Sequence, residues 1–286
     1  MKRWKERSIQ RRLEPEDLQI TDSRYGMTLG LLQCLECGFI FAEADELTEL
    51  GRLYEALDDQ AYEAGIENRS RQMRWLVDIG KAANPAARSL LDIGAGIGLL
   101  VKEAQSSGLA AEGVELSRSL VEAGSRLLGI NLVQGTFPHR SLSGRTFDLI
   151  YVVDVIEHVS DPIQLLLECR KALAPNGVLV VVTPDIRSLA ARTLRHRWWH
   201  LRLAHVGYFD ASTMAKGAEA AGLTVAAKRR ALWFFPVGYV AARLERYLPV
   251  SALNRALLKT SVGRSLFGKV IGLNLLDSWV FVFRRR

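Results

Sequence analysis

Apolar positions along this chain change period several times, and each change marks an element. Leu90, Leu91 and Ile93 form a short continuous apolar run, the pattern of a strand buried on both faces. Gly94, Ala95, Gly96, Ile97 and Gly98 then turn the chain, and a helical pattern follows over Leu99–Ser107. Further apolar runs predict strands at Glu112–Leu116, Asn131–Gln134, Phe147–Val153, Val178–Thr183 and Leu223–Lys228. Helical patterns lie between them: one capped by Ser117 and running to Leu128, one over 161–173, and one over Ala211–Ala221. A last strand is predicted at Ser278–Phe283. The alternation predicts an α/β fold with a mostly parallel sheet and helices on both faces.

Two regions break this rhythm. Residues 1–84 read as an N-terminal extension, and 231–276 as an apolar helical insertion within the main domain, 85–286. In the extension, Tyr25–Phe41 holds two apolar stretches around Cys34-Leu35-Glu36-Cys37-Gly38. Such a C-x-x-C-G turn offers two thiolates to a metal, but a structural zinc takes four ligands and no histidine precedes His139. Cys34 and Cys37 are therefore candidate ligands against the simpler reading of two hairpin cysteines. Asp45–Lys81 is expected to be largely helical, with Leu47, Leu50, Leu53 and Leu57 on one face and Tyr54 and Tyr62 either packed or facing a pocket. In the insertion no window reaches the ~18–20 uncharged apolar residues of a membrane span. Two readings stay open for it: an amphipathic surface at a bilayer or substrate mouth, and a packed helical insertion.

Composition adds limits. With 286 residues, 49% of them hydrophobic and 24% charged, one large soluble α/β domain with appendages is expected. The net charge of +7 is concentrated at the ends: the first twelve residues carry +5, Arg284–Arg286 carry +3, and the rest sums to −1. Basic ends of this kind suit either a polyanionic surface such as phospholipid or plain solvation. Three cysteines do not make a disulfide framework, and no leader pattern opens the chain, so a reducing cytoplasm is the expected compartment, with peripheral membrane contact as an option.

The chemistry centres on the glycine turn. A strand, a Gly-rich bend and a helix make a nucleotide-type pocket at the carboxyl edge of a parallel sheet. Glu115 ends the next apolar run, twenty-three positions after Asp92, where a carboxylate can accept both hydroxyls of a ribose. The spacing is G-x-G-x-G, one residue shorter than the dinucleotide fingerprint. With this turn, GVELS at 113–117, FDLIYVVDVIEHVSDP at 147–162 and LAPNGVLVVVTPD at 173–185, the chain resembles the class I S-adenosylmethionine-dependent methyltransferases over residues 85–230. Within them it resembles the ubiquinone-biosynthesis O-methyltransferase-like, or methyltransferase-domain, subgroup. The resemblance implies a Rossmann-like, seven-stranded sheet with its last strand antiparallel, and S-adenosyl-L-methionine as cofactor. It places Asp92, Gly94, Ala95, Gly96 and Gly98 around the methionine moiety, Glu115 on the ribose, Leu116 beside the adenine and Asp154 towards the methionyl end. Relatives carry an acidic residue after strand three; here Gln134, Thr136 and Phe137 are the candidates.

Glu157 and His158, at the carboxyl end of strand four, are expected beside the methyl acceptor, with His158 suited to take a proton near neutral pH or, alternatively, to pack the turn. Similar enzymes carry E-x-x-E-H, associated with a divalent cation; Asp154 replaces the first Glu here, and no metal is expected at this position. A second group, Trp198, Trp199, His200, His205, Tyr208 and Phe209, is expected to form an aromatic lid in which His205 is either a base or a hydrogen-bonding pin. The expected activity is methyl transfer to a small-molecule acceptor, at oxygen, with lipid-linked, aromatic and sugar acceptors all compatible. A non-catalytic, membrane-apposed cofactor-binding scaffold is the alternative, and a nucleotide-dependent dehydrogenase is disfavoured by the glycine spacing. Asp154-Val155-Ile156-Glu157 stands where base-amine methyltransferases carry Asn/Asp-Pro-Pro-aromatic, so no specific nucleic-acid partner is expected.

Overall fold

The computed structural model describes residues 1–19, 25–44, 47, 50–57, 65–245 and 249–286. Strands β1 (Lys2–Lys5), β2 (Leu31–Gln33) and β3 (Ile40–Ala42) pair antiparallel in that order. Helices α1 (Leu50–Glu55) and α2 (Ile66–Ala83) lead to the main sheet. The first half of that sheet is β4 (Ser89–Ile93), α3 (Leu99–Ser106), β5 (Ala110–Glu115), α4 (Arg118–Leu128) and β6 (Val133–Gln134). The second half starts with β7 (Phe147–Val153), α5 (Pro162–Ala172) and β8 (Leu173–Pro184). After it come α6 (Leu189–Leu194), β9 (Gly207–Tyr208), α7 (Ala211–Ala220) and β10 (Leu223–Arg230). The inserted block contains β11 (Trp233–Pro236), α8 (Val237–Leu244), α9 (Ser251–Leu258), α10 (Ser261–Gly268) and β12 (Val270–Leu273), and β13 (Ser278–Arg285) ends the chain.

The seven-stranded sheet has the order β10-β13-β8-β7-β4-β5-β6. All its pairings are parallel except those of β13, which runs antiparallel to both neighbours, so the fold is Rossmann-like with a reversed last strand. Its central strands are apolar on both faces because helices cover both. Along β8, Leu179 and Val181 face a layer with Leu165, Leu166 and Met214 of α5 and α7. Val178, Val180 and Val182 face the opposite layer, with Leu76, Val77, Leu100 and Val101 of α2 and α3. The chain order turns back between β4 and β7, which opens a crevice at their carboxyl ends.

The expected hairpin is present as β2–β3, and it belongs to a larger sheet whose fourth strand is β9 (Ile40 opposite Tyr208, Phe41 opposite Gly207). The basic ends follow strands and make ion pairs while most of their side chains stay exposed. Lys2 and Arg3 lie in β1, Arg3 pairs with Glu43 at 2.9 Å, and Arg11 grips the buried Asp17 at 2.6 Å. Arg284 donates to the Ala83 carbonyl and Arg285 to that of Leu173. The insertion is helical, with three helices among the described residues, and is closed by an antiparallel ribbon of β11 and β12 that the apolar pattern did not reveal. Tyr62 and part of the expected helical stretch from Asp45 lie outside the described residues.

Candidate active site

Strand β4 delivers Asp92, 4% exposed, to the crevice, and the glycine bend follows. Gly94, Gly96 and Gly98 all have positive φ (72°, 57° and 84°). A Cβ on Gly94 would stand 2.4 Å from the Val155 side chain, so only glycine lets the loop after β7 close on this bend. The bend is pinned to the next strand by Gly94 and Ala95 N–H donating to the Val114 carbonyl at 2.9 and 3.0 Å. Glu115, at the end of β5, turns its carboxylate back to it. Oε2 accepts the Gly96 amide at 2.8 Å while Oε1 accepts the Ser117 amide at 2.8 Å. Burial raises the Glu115 pKa against these amide bonds, and burial together with the Glu115 charge raises that of Asp92 well above the carboxylate range. Asp92 and Glu115 thus set two carboxyl groups beside the bend, at the carboxyl ends of β4 and β5, where hydroxyl donors would find acceptors.

Leu116 is half-buried directly after Glu115, and Ala95 is buried within the bend. In the loop after β6, Gln134 and Thr136 are exposed, while Phe137 packs against the core layer of β7 and β8. The Gly135 amide ties that loop to the Glu115 carbonyl at 2.9 Å.

At the carboxyl end of β7 the chain enters a 3-10 turn at Ile156–His158. Asp154 sits just before it with φ 52° and with Oδ1 buried and without a partner. Its pKa is pushed up to about 7 by burial and by the nearby Asp277 charge. Glu157, 1% exposed, accepts a hydrogen bond from Thr183 at 3.0 Å through Oε2, and its Oε1 has no partner. Burial and the Asp154 charge hold its carboxyl well above the usual range. His158 Nδ1 lies 2.8 Å from the Ala204 carbonyl and 2.6 Å from the Tyr54 hydroxyl. A carbonyl only accepts, so Nδ1 carries the proton and Nε2 the lone pair. Burial, helped by the Arg202 charge, lowers the His158 pKa to about 4, which keeps the ring neutral at pH 7.

His205 joins the same cluster. Its ring stands edge-on to that of His158, centroids 4.7 Å apart, and the Val206 amide donates to the Glu157 carbonyl at 2.8 Å, which locks the two segments together. The His205 ring is bonded to the His200 carbonyl, its Nδ1 is buried without a partner, and burial lowers its pKa well below the usual value. Donor atoms of Glu157, His158 and His205 lie within 4.8 Å of one another, a group that does not include Asp154. The donor set implied by E-x-x-E-H therefore does not fit as it stands.

The expected lid divides. Trp198 and Tyr208 are core residues, 1% and 3% exposed, packed with Leu29, Leu31 and Leu203. Trp199 and His200 instead bond to Asp277 at 2.8 and 3.3 Å. Tyr54 is a site residue that sequence reasoning left between packing and pocket, its placement in a covering helix being the available signal. Thr183 carried none beyond its place at the end of β8. Cys34 and Cys37 are half-buried in the turn between β2 and β3, and backbone amides of the turn lower the Cys34 pKa. Among the described residues no third metal-ligating side chain joins them.

Comparison with known proteins agrees with this geometry. Residues 66–228 match a family model described as a methyltransferase domain. The ubiquinone biosynthesis O-methyltransferase of Parvibaculum lavamentivorans is 36% identical over 98 residues, 32% of this chain and 39% of that protein. The mitochondrial ubiquinone biosynthesis O-methyltransferase of Schizosaccharomyces pombe is 27% identical over 160 residues, 53% of this chain and 58% of that protein. The chain thus spans between about two fifths and three fifths of these relatives. The fold is similar to that of the CcbJ methyltransferase of Streptomyces caelestis, with a TM-score of 0.51 and 14% identity over 82% of this chain and 96% of the other.

Proposed function

The chain belongs to the methyltransferase-domain family, and from that premise we propose that it is an S-adenosylmethionine-dependent methyltransferase that methylates a hydroxyl oxygen of a small-molecule acceptor. The observation that carries the oxygen assignment is the buried cluster of Glu157, His158 and His205, neutral imidazoles beside a carboxyl at the carboxyl end of β7. A methyl group on a sulfonium is already activated, so the protein has to align the acceptor, exclude water and take a proton from it. Alignment is worth on the order of 7–11 kcal/mol in well-oriented cases, and proton removal about 10²–10⁴ in rate.

In this reading the Gly94–Gly98 bend and Asp92 hold the methionine moiety, Glu115 accepts the ribose hydroxyls, and Asp154 faces the cationic end of the cofactor. Leu116 flanks the adenine, with Phe137 as its apolar neighbour from the loop after β6. Residues 85–286 then form the catalytic domain and 1–84 the extension over its mouth. The proton of the acceptor leaves towards the Glu157–His158–His205 cluster. Deciding evidence would be turnover of radiolabelled S-adenosylmethionine with a panel of hydroxylated aromatic, polyprenyl-linked and sugar acceptors and their amino counterparts. Label transferred to amines but not to hydroxyls would defeat the oxygen assignment.

The insertion favours an apolar or lipid-linked acceptor. On α9 and α10, Leu257, Leu258, Val262 and Leu266 are exposed beside Arg255, Lys259, Arg264 and Lys269, and no acidic residue occurs between Ser251 and Lys269. Apolar side chains ringed by cations suit an anionic bilayer surface. No described helix is long and apolar enough to cross a membrane.

A further inference from the structure

We propose that, independently of the methyltransferase reading above, the turn Cys34–Gly38 is half of a structural zinc site, completed by the same two thiolates from a second copy of this chain.

The turn is already shaped around its sulfurs. It closes the β2–β3 hairpin, where the Cys34 amide donates to the Phe39 carbonyl at 2.9 Å and the Gly38 amide to the Cys34 carbonyl at 3.0 Å. Gly38 ends it with φ 85°, in the left-handed region that favours glycine. Gln33 Nε2 fastens the two strands by donating to the Gly38 carbonyl at 3.1 Å. Within this loop the Glu36 and Cys37 amides donate to the Cys34 sulfur, and the Cys37 thiol is hydrogen-bonded to it as well. Donors of this kind orient a metal-bound thiolate and offset its charge. Two sulfurs on one tetrahedral zinc, each at about 2.3 Å, stand roughly 3.8 Å apart. A hydrogen-bonded cysteine pair needs little movement to reach that spacing, and thiolates select zinc over magnesium or calcium.

A structural zinc takes four ligands, of which one copy supplies two. The third cysteine, Cys169, lies on α5 with 0% exposure, inside the core layer of β7 and β8. Among the described residues no histidine or carboxylate brings a third donor to the turn. Its tip faces solvent: Leu35 is 69% exposed, Glu36 is exposed and both cysteines are half-buried. Two such tips meeting about a two-fold axis set four sulfurs around one ion, an isologous contact that closes at a dimer. The same contact takes both exposed Leu35 side chains out of water.

Charge favours this arrangement. Zinc with four thiolates is a dianion, and cations flank the turn on each copy. Lys2 stands opposite Gln33 in the β1–β2 register. Arg187, its Nε held by Asp210 at 2.7 Å, places Nη2 3.9 Å from where a Cβ on Gly38 would be. Coordination releases the four thiol protons to solvent, so binding strengthens as pH rises.

The test uses the full chain with a phosphine reductant, which keeps the thiols reduced. The protein is stripped with EDTA, loaded with zinc and passed into metal-free buffer. Elemental analysis and light scattering are then read on one chromatographic peak. We expect about half an equivalent of zinc per chain, twice the chain mass, and a return to single-chain mass on adding EDTA. Cobalt(II) in place of zinc should show tetrahedral visible bands and strong thiolate charge transfer in the near ultraviolet. Cys34→Ser and Cys37→Ser, each checked by circular dichroism, should retain no zinc and stay at single-chain mass. No zinc in the parent, or one equivalent on a single chain, would overturn the shared site. Zinc retained by a folded cysteine variant, or cobalt spectra without thiolate charge transfer, would place the metal elsewhere and overturn it too. A dimer formed equally by stripped parent and cysteine variants would show that the ion does not join the copies.

Discussion

The Glu115 carboxylate reaches from the end of one parallel strand to the Gly96 amide on its neighbour, 2.8 Å away, and so braces the bend it also helps to line. Its second oxygen is held by Ser117, which in turn caps α4 by accepting the Leu120 amide. One side chain thereby links the glycine bend, the strand end and the following helix.

Replacing Glu115 by Ala should weaken S-adenosylhomocysteine binding by about 1–3 kcal/mol, roughly 5- to 150-fold. The proposed ribose contacts would be lost along with the acceptor of the Gly96 amide. Isothermal titration on parent and variant measures this directly. Equal affinities would remove Glu115 from the cofactor site.

Gly94→Ala should destabilise the fold by about 2–4 kcal/mol. Its φ of 72° is costly for any residue with a Cβ, by roughly 1–2 kcal/mol, and the new methyl would meet Val155 Cγ2 at 2.4 Å. Adding Val155→Ala should recover the clash but not the dihedral cost, so about 1 kcal/mol or more should persist. Urea unfolding of the two variants separates the two contributions. Full recovery in the double variant would show that the dihedral costs nothing here.

The elements that sequence reasoning placed well are those whose surroundings are uniform. Strand β7 was legible to the residue, Phe147–Val153, because helices cover both its faces and apolar residues fill it without a break. Strand β8 begins five residues earlier than the valine run suggested, since Leu173 pairs with Phe147 across a register shift that Pro175, Asn176 and Gly177 disguised as a turn. The glycine bend and the strand end that carries Glu115 were readable because a strand, a glycine turn and a helix follow one another within a short stretch of chain. The group around Glu157 was only half readable. His158 is adjacent in sequence, but His205 arrives through the pairing of β3 with β9 and the bond from Val206 to Glu157, contacts that no local pattern encodes. For the same reason Trp198 and Tyr208 read as a lid when tertiary packing makes them core.

Asp154 should give the protein a distinctive pH response. Its carboxyl titrates at about 7 in the fold, against 3.8 as the ordinary value, so folding favours the protonated form. The stability it contributes is complete below about pH 4 and is lost as pH rises to about 7, a difference on the order of 2–4 kcal/mol. Asp154→Asn should flatten that part of the stability–pH curve, as read by denaturation midpoints from pH 4 to 8. Parallel curves for the two proteins would mean that Asp154 is ionised throughout.

Tyr54 ties the extension to the site, its hydroxyl lying 2.6 Å from His158 Nδ1 and 3.2 Å from the Ala204 carbonyl. Tyr54→Phe removes those contacts without opening a cavity, so stability should fall by only about 1 kcal/mol. Turnover should fall by a larger factor than cofactor affinity does, because the hydroxyl orients His158 rather than the bend. A loss confined to S-adenosylhomocysteine binding would place Tyr54 with the cofactor instead.

The exposed face of α9 and α10 should recognise membranes by charge as well as by apolar contact. Each Lys or Arg near an anionic surface is worth about 1 kcal/mol, and Arg255, Lys259, Arg264 and Lys269 are all exposed along this stretch. Vesicles containing phosphatidylglycerol should therefore bind the protein, neutral phosphatidylcholine vesicles much less, and added salt should weaken the former. Exchanging Lys259 and Arg264 for Glu should lower binding by more than about tenfold. Val262→Asp, at a position 78% exposed, should do so with no cost to folding. These residues lie on the insertion, away from the glycine bend, so S-adenosylhomocysteine affinity should be untouched. Sedimentation with the vesicles gives the partition coefficients, and equal partitioning of parent and charge-reversed protein would show that this face does not meet lipid.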